Sequence, residues 1–273
     1  MNQAAIIAVG TELLFGTTIN TNASHISRCL HELGIGVLAH YVVGDNPKRL
    51  RRMLEVAFEE ADIVIATGGL GPTQDDLTKE IIAEFMGSPL EYDELAKQYL
   101  EDRMASLGRT SYTPNNLKQV YLPKDCTPFY NQAGTAPGFA LESQGRLAIA
   151  LPGPPREMER MMIDSVIPYL TGRSSQTLYS QMLLFRHLGE SALETALLPL
   201  IDGQSDPTIA TYAKQGECMV RITSLRESAD EAKAAVQHMV LCAKELVDAY
   251  CLDNLGQHYP EDIPVMDVPA WDE

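Results

Sequence analysis

The chain has 273 residues, of which 45% are hydrophobic, so it is long and apolar enough to bury one large core or two smaller ones. No apolar run approaches the roughly 20 residues that a membrane span needs, and Met1–Gln3 lacks the basic segment of a signal peptide, so we expect a cytoplasmic protein with no membrane partner. The net charge of −16 argues against a nucleic-acid partner, because such binding depends on neutralising phosphates with Lys and Arg.

Strands and helices alternate in the first half of the chain. Continuous apolar runs predict buried strands at Ala4–Val9, Val37–Val43 and Ile63–Thr67. Apolar residues at helical spacing predict helices around Ala23–Leu33, Leu50–Phe58 and Ile81–Met86. This alternation predicts an α/β fold with an open, mostly parallel sheet and helices on both of its faces.

The remaining sequence predicts more elements of this sheet and then a second, smaller domain. In the first domain we expect a helix at Glu91–Leu107, a loop at Tyr112–Asn116, strands at Ala136–Glu142 and Arg146–Leu151, and a helix at Arg156–Ser165. After a polar boundary at Pro168–Ser175, the pattern is strand Leu178–Leu188, helix Glu190–Leu200, strands Thr208–Tyr212 and Cys218–Leu225, and a long helix, which is typical of a small α+β unit. The expected domains are 1–170 and 175–252, followed by an acidic, Pro-containing tail at 253–273 that we expect to be poorly ordered.

Glycine-rich segments follow four of the predicted strands. They begin at Gly10, Gly44, Thr67 and Pro152, and the third is the longest, TGGLGPTQDD. Because the carboxyl ends of parallel strands lie at one edge of a sheet, these loops are expected to converge on a ligand site. Glycines let the backbone approach a ligand closely, and free N–H groups at the loops can bind phosphate oxygens.

Carboxylates in these loops can bind a metal. Asp45 and Asp76 follow neighbouring strands and offer the oxygen ligands that a hard divalent cation prefers, while Thr78 and Lys79 can add a hydroxyl donor and a positive charge. A metal placed there would polarise a phosphoryl group and offset the negative field. The alternative is structural: each glycine is ordinary turn chemistry, and Asp76 caps the helix that follows it.

The motifs in these segments resemble the CinA family of competence- and damage-inducible proteins. They are IAVGTELLFG from Ile7 with Asn20-Thr21-Asn22, VVGDNP from Val42, TGGLGPTQDDLTKE from Thr67, GTAPGF from Gly134 and LPGPPRE from Leu151. The first domain of that family is similar to the molybdopterin-binding domain of molybdenum-cofactor biosynthesis proteins, and its second unit is described as KH-like. The resemblance implies these two folds for this chain.

The resemblance also implies a function for the first domain. It implies an ADP-ribose pyrophosphatase acting on a small nucleotide substrate and dependent on a divalent metal (Mg²⁺, Mn²⁺ or Co²⁺), in a homodimer. Asp45 and Asp76 match two functional aspartates of the molybdopterin-domain pattern and are the expected catalytic residues and metal ligands, while Asp75 stands where a basic residue is often found. Many family members carry a C-terminal nicotinamide-nucleotide amidase domain that the tail does not resemble, so we expect no amidase activity.

The residues expected to contact the substrate come from these loops and motifs. They are Gly10, Thr11, Glu12, Asn20, Gly68, Gly69, Gly71, Asp75, Thr78, Gly134, Thr135, Pro152, Gly153 and Pro154.

Two further hypotheses remain beside the hydrolase. The first is a pterin- or nucleotide-binding protein or transferase of molybdenum-cofactor type, and the second is a non-catalytic binding or assembly module. RNA binding by the KH-like unit is disfavoured, because that mode uses a G-x-x-G loop and the nearest segment, Gly203–Asp206, lacks the second glycine.

Overall fold

The computed structural model describes residues 3–108, 111, 113–171, 177–214, 217–260 and 262–267. The chain divides into two compact units, Met1–Ser174 and Ser175–Glu273. Part of the predicted boundary segment, Gly172–Ser175, lies outside the described residues. No helix within the described ranges combines the length and the apolar character that crossing a membrane requires.

The elements of the first unit follow the predicted alternation, with short additions. Its strands are β1 (Gln3–Val9), β2 (Gly36–Val43), β3 (Ile63–Thr67), β4 (Leu90–Tyr92), β5 (Tyr121–Pro123), β6 (Thr127–Phe129), β7 (Gly138–Ser143) and β8 (Arg146–Leu151). Its helices are α1 (Thr11–Leu14), α2 (Thr21–Glu32), α3 (Pro47–Glu60), α4 (Thr78–Met86), α5 (Glu94–Ser106), α6 (Pro155–Met161) and α7 (Ile167–Thr171), with a π-helical turn at Met162–Val166. A 3₁₀ helix, Pro114–Val120, occupies much of the segment that was predicted as a loop.

The six-stranded sheet has the order β2-β1-β3-β8-β7-β6. Its first four strands are parallel, and β7 and β6 run antiparallel to their neighbours. The carboxyl ends of β2, β1, β3 and β8 therefore lie side by side at one edge, where β7 begins. This confirms the predicted open, mostly parallel sheet.

Side chains of β1 alternate between two cores, one on each face of the sheet. Ile7 and Val9 belong to the core formed with α3, α4 and α5, whereas Ile6 belongs to the core formed with α2, α6 and α7. Met158, in α6, is fully buried in the second core, so this methionine has a packing role. The prediction of helices on both faces is confirmed.

Local sequence signals start and stop the helices that flank the site. The side chain of Asn46 accepts a hydrogen bond from Arg49 N (3.0 Å), and Pro47 occupies the first turn, so α3 begins directly after the loop of β2. Gly87 ends α4 in the left-handed conformation, with φ of 74°.

In its described residues, the second unit has a four-stranded antiparallel sheet and two helices. Its elements are β9 (Thr177–Arg186), α8 (Glu190–Ile201), β10 (Thr208–Lys214), β11 (Glu217–Arg226), α9 (Ala229–Leu255) and β12 (Val265–Asp267). The strand order is β10-β11-β9-β12, and its core includes Phe185, Leu197, Val220 and Val236. The small α+β unit is as the sequence predicts.

The tail departs from the expectation of poor order. Helix α9 continues to Leu255, and β12 pairs antiparallel with β9, Val265 opposite Leu183. Ile263 is buried in the core of the second unit, so an apolar residue among the prolines anchors this segment. Residues 261 and 268–273 lie outside the described residues.

Candidate functional site

A cleft of about 570 Å³ lies at the carboxyl edge of the six-stranded sheet, where the predicted loops converge. It is lined by segments that follow β1, β2, β3 and β8 and by the segment that enters β7. The predicted site residues that line it are Gly10, Glu12, Asp45, Gly68, Gly69, Gly71, Asp75, Asp76, Thr135, Pro152, Gly153 and Pro154.

Four predicted contact residues, Thr11, Asn20, Thr78 and Gly134, are not part of the cleft lining. Asn20 caps α2 by accepting from Ala23 N (3.1 Å). Thr78 is 1% exposed and packs behind Gly69, because a Cβ added to Gly69 would collide with the Thr78 hydroxyl. Its hydroxyl lies against Gly69 and has no hydrogen-bond partner among the described residues.

The other two act on side chains that do line the cleft. Thr11 donates to the carboxylate of Asp45, and Gly134 is buried against the carboxylate of Glu157. These residues shape the site from behind its wall.

The glycine-rich loop after β3 has a conformation that requires glycine. Gly68 and Gly69 have φ of 102° and 66°, and a Cβ on Gly68 would collide with the carbonyl oxygen of Val9. The N–H groups of Gly69, Leu70 and Gly71 donate no hydrogen bond within the part of the chain that the structure describes. Successive free N–H groups of this kind form an anion-binding surface.

Asp45 is fixed by the loop of β1. Its Oδ2 accepts from Thr11 N (2.9 Å) and from Thr11 Oγ1 (2.7 Å), and Asp45 N in turn donates to Thr11 Oγ1 (3.2 Å). Charge-assisted hydrogen bonds of this type hold a carboxylate in one orientation. The Oδ1 atom is left for other partners.

Asp76 is bound within its own loop rather than to the helix that follows. Its Oδ2 accepts from Thr73 N (2.9 Å) and Thr73 Oγ1 (2.6 Å), whereas the N-cap of α4 is Leu77, which makes no side-chain capping bond. The alternative interpretation of Asp76 as a helix cap is therefore wrong. The hydroxyl of Thr73 also contacts exposed Asp75 and lowers the pKa of that carboxyl below its ordinary value.

Two lysine side chains support the loop that carries Thr73 and Asp76. Lys118 Nζ donates to the carbonyl oxygens of Thr73 (3.2 Å) and Asp76, and Lys79 Nζ donates to the carbonyl oxygen of Lys118. Lys79 is 5% exposed, and its burial lowers its pKa to about 8. The Lys79 side chain therefore bonds to the 3₁₀ helix, and this residue is not part of the cleft lining.

Several cleft residues were not predicted from the sequence. They are Val9, Thr18, Leu70, Pro72, Gln119, Ala136, Pro155 and Glu157. Glu157 ends the LPGPPRE motif, so its position in that motif was the available signal. Gln119 lies in the 3₁₀ helix, which follows no strand of the six-stranded sheet, and no local pattern marked it.

Glu157 is positioned by a buried asparagine. Asn131 is 5% exposed, and its Nδ2 donates to Glu157 Oε2 (2.7 Å) and to the carbonyl oxygen of Ala136 (2.9 Å). Its Oδ1 accepts from the N–H groups of Ala133 and Gly134, at 2.9 and 2.7 Å. One carboxylate of the cleft is thus fixed by a fully hydrogen-bonded amide.

The cleft is strongly acidic. Its lining includes five carboxylates, and none of the described residues that form it is Lys or Arg. They are Glu12, Asp45, Asp75, Asp76 and Glu157. No group of three or more His, Cys, Asp or Glu in the described ranges is arranged to hold a metal ion. Mg²⁺ is commonly bound by one or two carboxylates together with substrate phosphates. Asp45 and Asp76 both line the cleft, but β1 lies between the strands that they follow, so these strands are not neighbours as predicted.

Comparison with known proteins identifies the family of this chain. Residues 5–172 match the family described as "Probable molybdopterin binding domain", and residues 180–251 match the family described as the KH domain of the damage-inducible protein CinA. The chain belongs to the CinA family. The fold and the order of its domains agree with the resemblance seen in the sequence.

Individual relatives support this placement. A CinA-like protein of Dictyoglomus turgidum is 48% identical over 238 residues, covering 87% of this chain and 58% of the relative. A competence-damage inducible relative from Acetivibrio thermocellus is 47% identical over 229 residues, covering 84% of this chain and 55% of the relative. The chain thus spans little more than half the length of these curated relatives.

A solved structure agrees with the first unit. The protein CinA from Thermoplasma acidophilum, whose function is given as unknown, has 38% identity and a TM-score of 0.56, covering 61% of this chain and 98% of that one. The prediction of an ADP-ribose pyrophosphatase is wrong: the matching domain is of the molybdopterin-binding type, and these relatives are CinA proteins. The findings favour the alternative hypothesis of a pterin- or nucleotide-binding protein or transferase of molybdenum-cofactor type.

Proposed function

We propose that the first unit binds a phosphate-bearing pterin or nucleotide in the acidic cleft, together with a divalent cation held by Asp45 and Asp76. The family supports the ligand class, because the domain is of the molybdopterin-binding type. The observation that carries the proposal is the glycine-rich loop: Gly69–Gly71 line the same cleft as the two aspartates, and their N–H groups donate no hydrogen bond among the described residues.

The charge of the cleft explains why a cation belongs to the proposal. Phosphate groups of the ligand would meet five carboxylates and no lysine or arginine among the described lining residues. When bound, the cation offsets the repulsion between these carboxylates and the ligand's phosphates. Asp45 and Asp76 would hold the cation, and the N–H groups of Gly69–Gly71 would hold phosphate oxygens of the ligand.

The test is isothermal titration calorimetry of the whole chain with ADP, GDP and 6-hydroxymethylpterin diphosphate, each with Mg²⁺ and with EDTA. At least one of these ligands should bind, and Mg²⁺ should strengthen that binding about tenfold or more, whereas guanosine, which has no phosphate, should bind far more weakly. Failure of all three phosphorylated ligands to bind would contradict the proposed function.

Asp76→Asn tests the cation and has a matched control. Asp76 follows the carboxyl end of β3, whereas exposed Asp62 precedes the amino end of the same strand, at the opposite edge of the sheet. Asp76→Asn should abolish the strengthening by Mg²⁺, and Asp62→Asn should retain it. If both variants respond to Mg²⁺ like the wild type, Asp76 is not a metal ligand.

A further inference from the structure

One polar side chain of the cleft is buried and incompletely bonded. Gln119 is 2% exposed, lines the cleft, and its Oε1 has no hydrogen-bond partner among the described residues. Buried polar atoms in native proteins are nearly always hydrogen-bonded, so an unpaired amide oxygen in a ligand cleft calls for a partner from the ligand.

One long hydrogen bond indicates the orientation of this amide. Gln119 Nε2 donates to the carbonyl oxygen of Leu70 at 3.5 Å, in the glycine-rich loop. Rotating the amide by 180° would set its oxygen against that carbonyl oxygen, so the oxygen is the atom that stays free. Lys79 and Lys118 hold the 3₁₀ helix that carries Gln119 against the same loop.

The chemistry of the free atom determines what it can recognise. An amide oxygen accepts hydrogen bonds and a phosphate offers none, so the phosphate end of a ligand does not satisfy Gln119. Glu157, which also lines the cleft, is likewise an acceptor when ionised. These acceptors suit a part of the ligand that carries N–H groups.

We propose that Gln119 Oε1 accepts a hydrogen bond from an exocyclic amino group of the ligand's heterocycle, which makes Gln119 a specificity-determining residue. This inference rests on the proposed function, and it narrows the ligand to phosphorylated heterocycles that bear an N–H donor. A ligand without that donor leaves the amide oxygen buried and unpaired, which weakens its binding.

Two nucleotide pairs test the preference, each differing by a single amino group. GDP is compared with IDP, which lacks the 2-amino group, and ADP with purine riboside 5′-diphosphate, which lacks the 6-amino group, all with Mg²⁺. The wild type should bind the amino-bearing member of at least one pair about tenfold more tightly.

The variant Gln119→Met removes the acceptor and keeps the side-chain length. It should bring the two members of the preferred pair to within about twofold of each other, by weakening only the amino-bearing one. Asn115→Leu, which replaces an exposed amide of the same 3₁₀ helix, is the control and should keep the wild-type preference. A merely structural role for Gln119 would weaken both members of the pair equally.

The outcomes separate the two proposals. Binding of the nucleotides to the wild type without an amino preference, or an equal loss for both members in Gln119→Met, overturns the role of Gln119 and leaves the proposed function standing. If neither these nucleotides nor 6-hydroxymethylpterin diphosphate binds to the wild type, both proposals fall together.

Discussion

The buried charge of Lys79 predicts an unusual dependence of stability on pH. Burial lowers its pKa from 10.5 to about 8, and this effect outweighs the neighbouring Glu80, which raises the pKa. Because one pKa unit is worth about 1.4 kcal/mol, burying the charged lysine costs the native state about 3 kcal/mol below pH 8. The variant Lys79→Met should lack this cost.

The sign follows from proton binding. Between pH 8 and 10.5 the unfolded chain keeps the lysine proton and the native state has released it, so the free energy of unfolding rises with pH across this window. Other groups also titrate there: burial raises the pKa of Cys126 to about 11, for example. They are common to both proteins, so the difference between wild type and Lys79→Met isolates Lys79.

The assay is urea unfolding followed by far-UV circular dichroism, at several pH values from 7 to 10.5. The stability of the wild type relative to Lys79→Met should increase by about 3 kcal/mol over the interval from pH 8 to 10.5. Lys48→Met, at an exposed position on α3, is the control and should follow the wild-type profile. A difference between wild type and Lys79→Met that stays flat or falls with rising pH would refute the reasoning.

Two further predictions concern the walls of the cleft. Gly68→Ala should lower the free energy of unfolding by about 3 kcal/mol, since a methyl group there meets the carbonyl oxygen of Val9 as well as an unfavourable φ, whereas Gly87→Ala, with open space and a similar positive φ, should cost about 1 kcal/mol. Asn131→Leu should cost about 3 kcal/mol by leaving buried polar groups unpaired, while Gln132→Leu, at the exposed neighbouring position, should change stability by less than about 0.5 kcal/mol. Urea unfolding measures both pairs, and equal losses within either pair would contradict the corresponding argument.

The acidic lining makes this cleft different from phosphate-binding sites that use lysine or arginine. Lys118 donates to the backbone carbonyl oxygens of Thr73 and Asp76 and forms an ion pair with Glu80 at 3.7 Å. Its charge therefore supports the loop that contains Thr73 and Asp76. Under the proposed function, phosphate recognition is therefore left to backbone N–H groups and to a cation. Binding that depends steeply on Mg²⁺ is the expected consequence.

The strands and helices were largely determined by local sequence. The apolar run that ends at Val9 forms β1, Asn46 and Pro47 start α3, and the glycines after β3 adopt the backbone that only they allow. These features depend on residues a few positions apart, so the sequence alone indicates them. The carboxyl-edge cleft followed from the alternation of strands and helices, because parallel strands share that edge.

The roles of individual side chains in the cleft were decided by the tertiary structure. Lys118 reaches Thr73 across 45 residues of sequence, and Gln119 reaches Leu70 across 49, so no local pattern connects these residues. The sequence likewise predicted Thr78 as a ligand contact, but its hydroxyl packs against Gly69 and Thr78 is not part of the cleft lining. Some polar atoms are free to contact a ligand, and others form the hydrogen bonds that hold the loops. Contacts between distant segments decide which atoms do which, and these contacts exist only once the chain has folded.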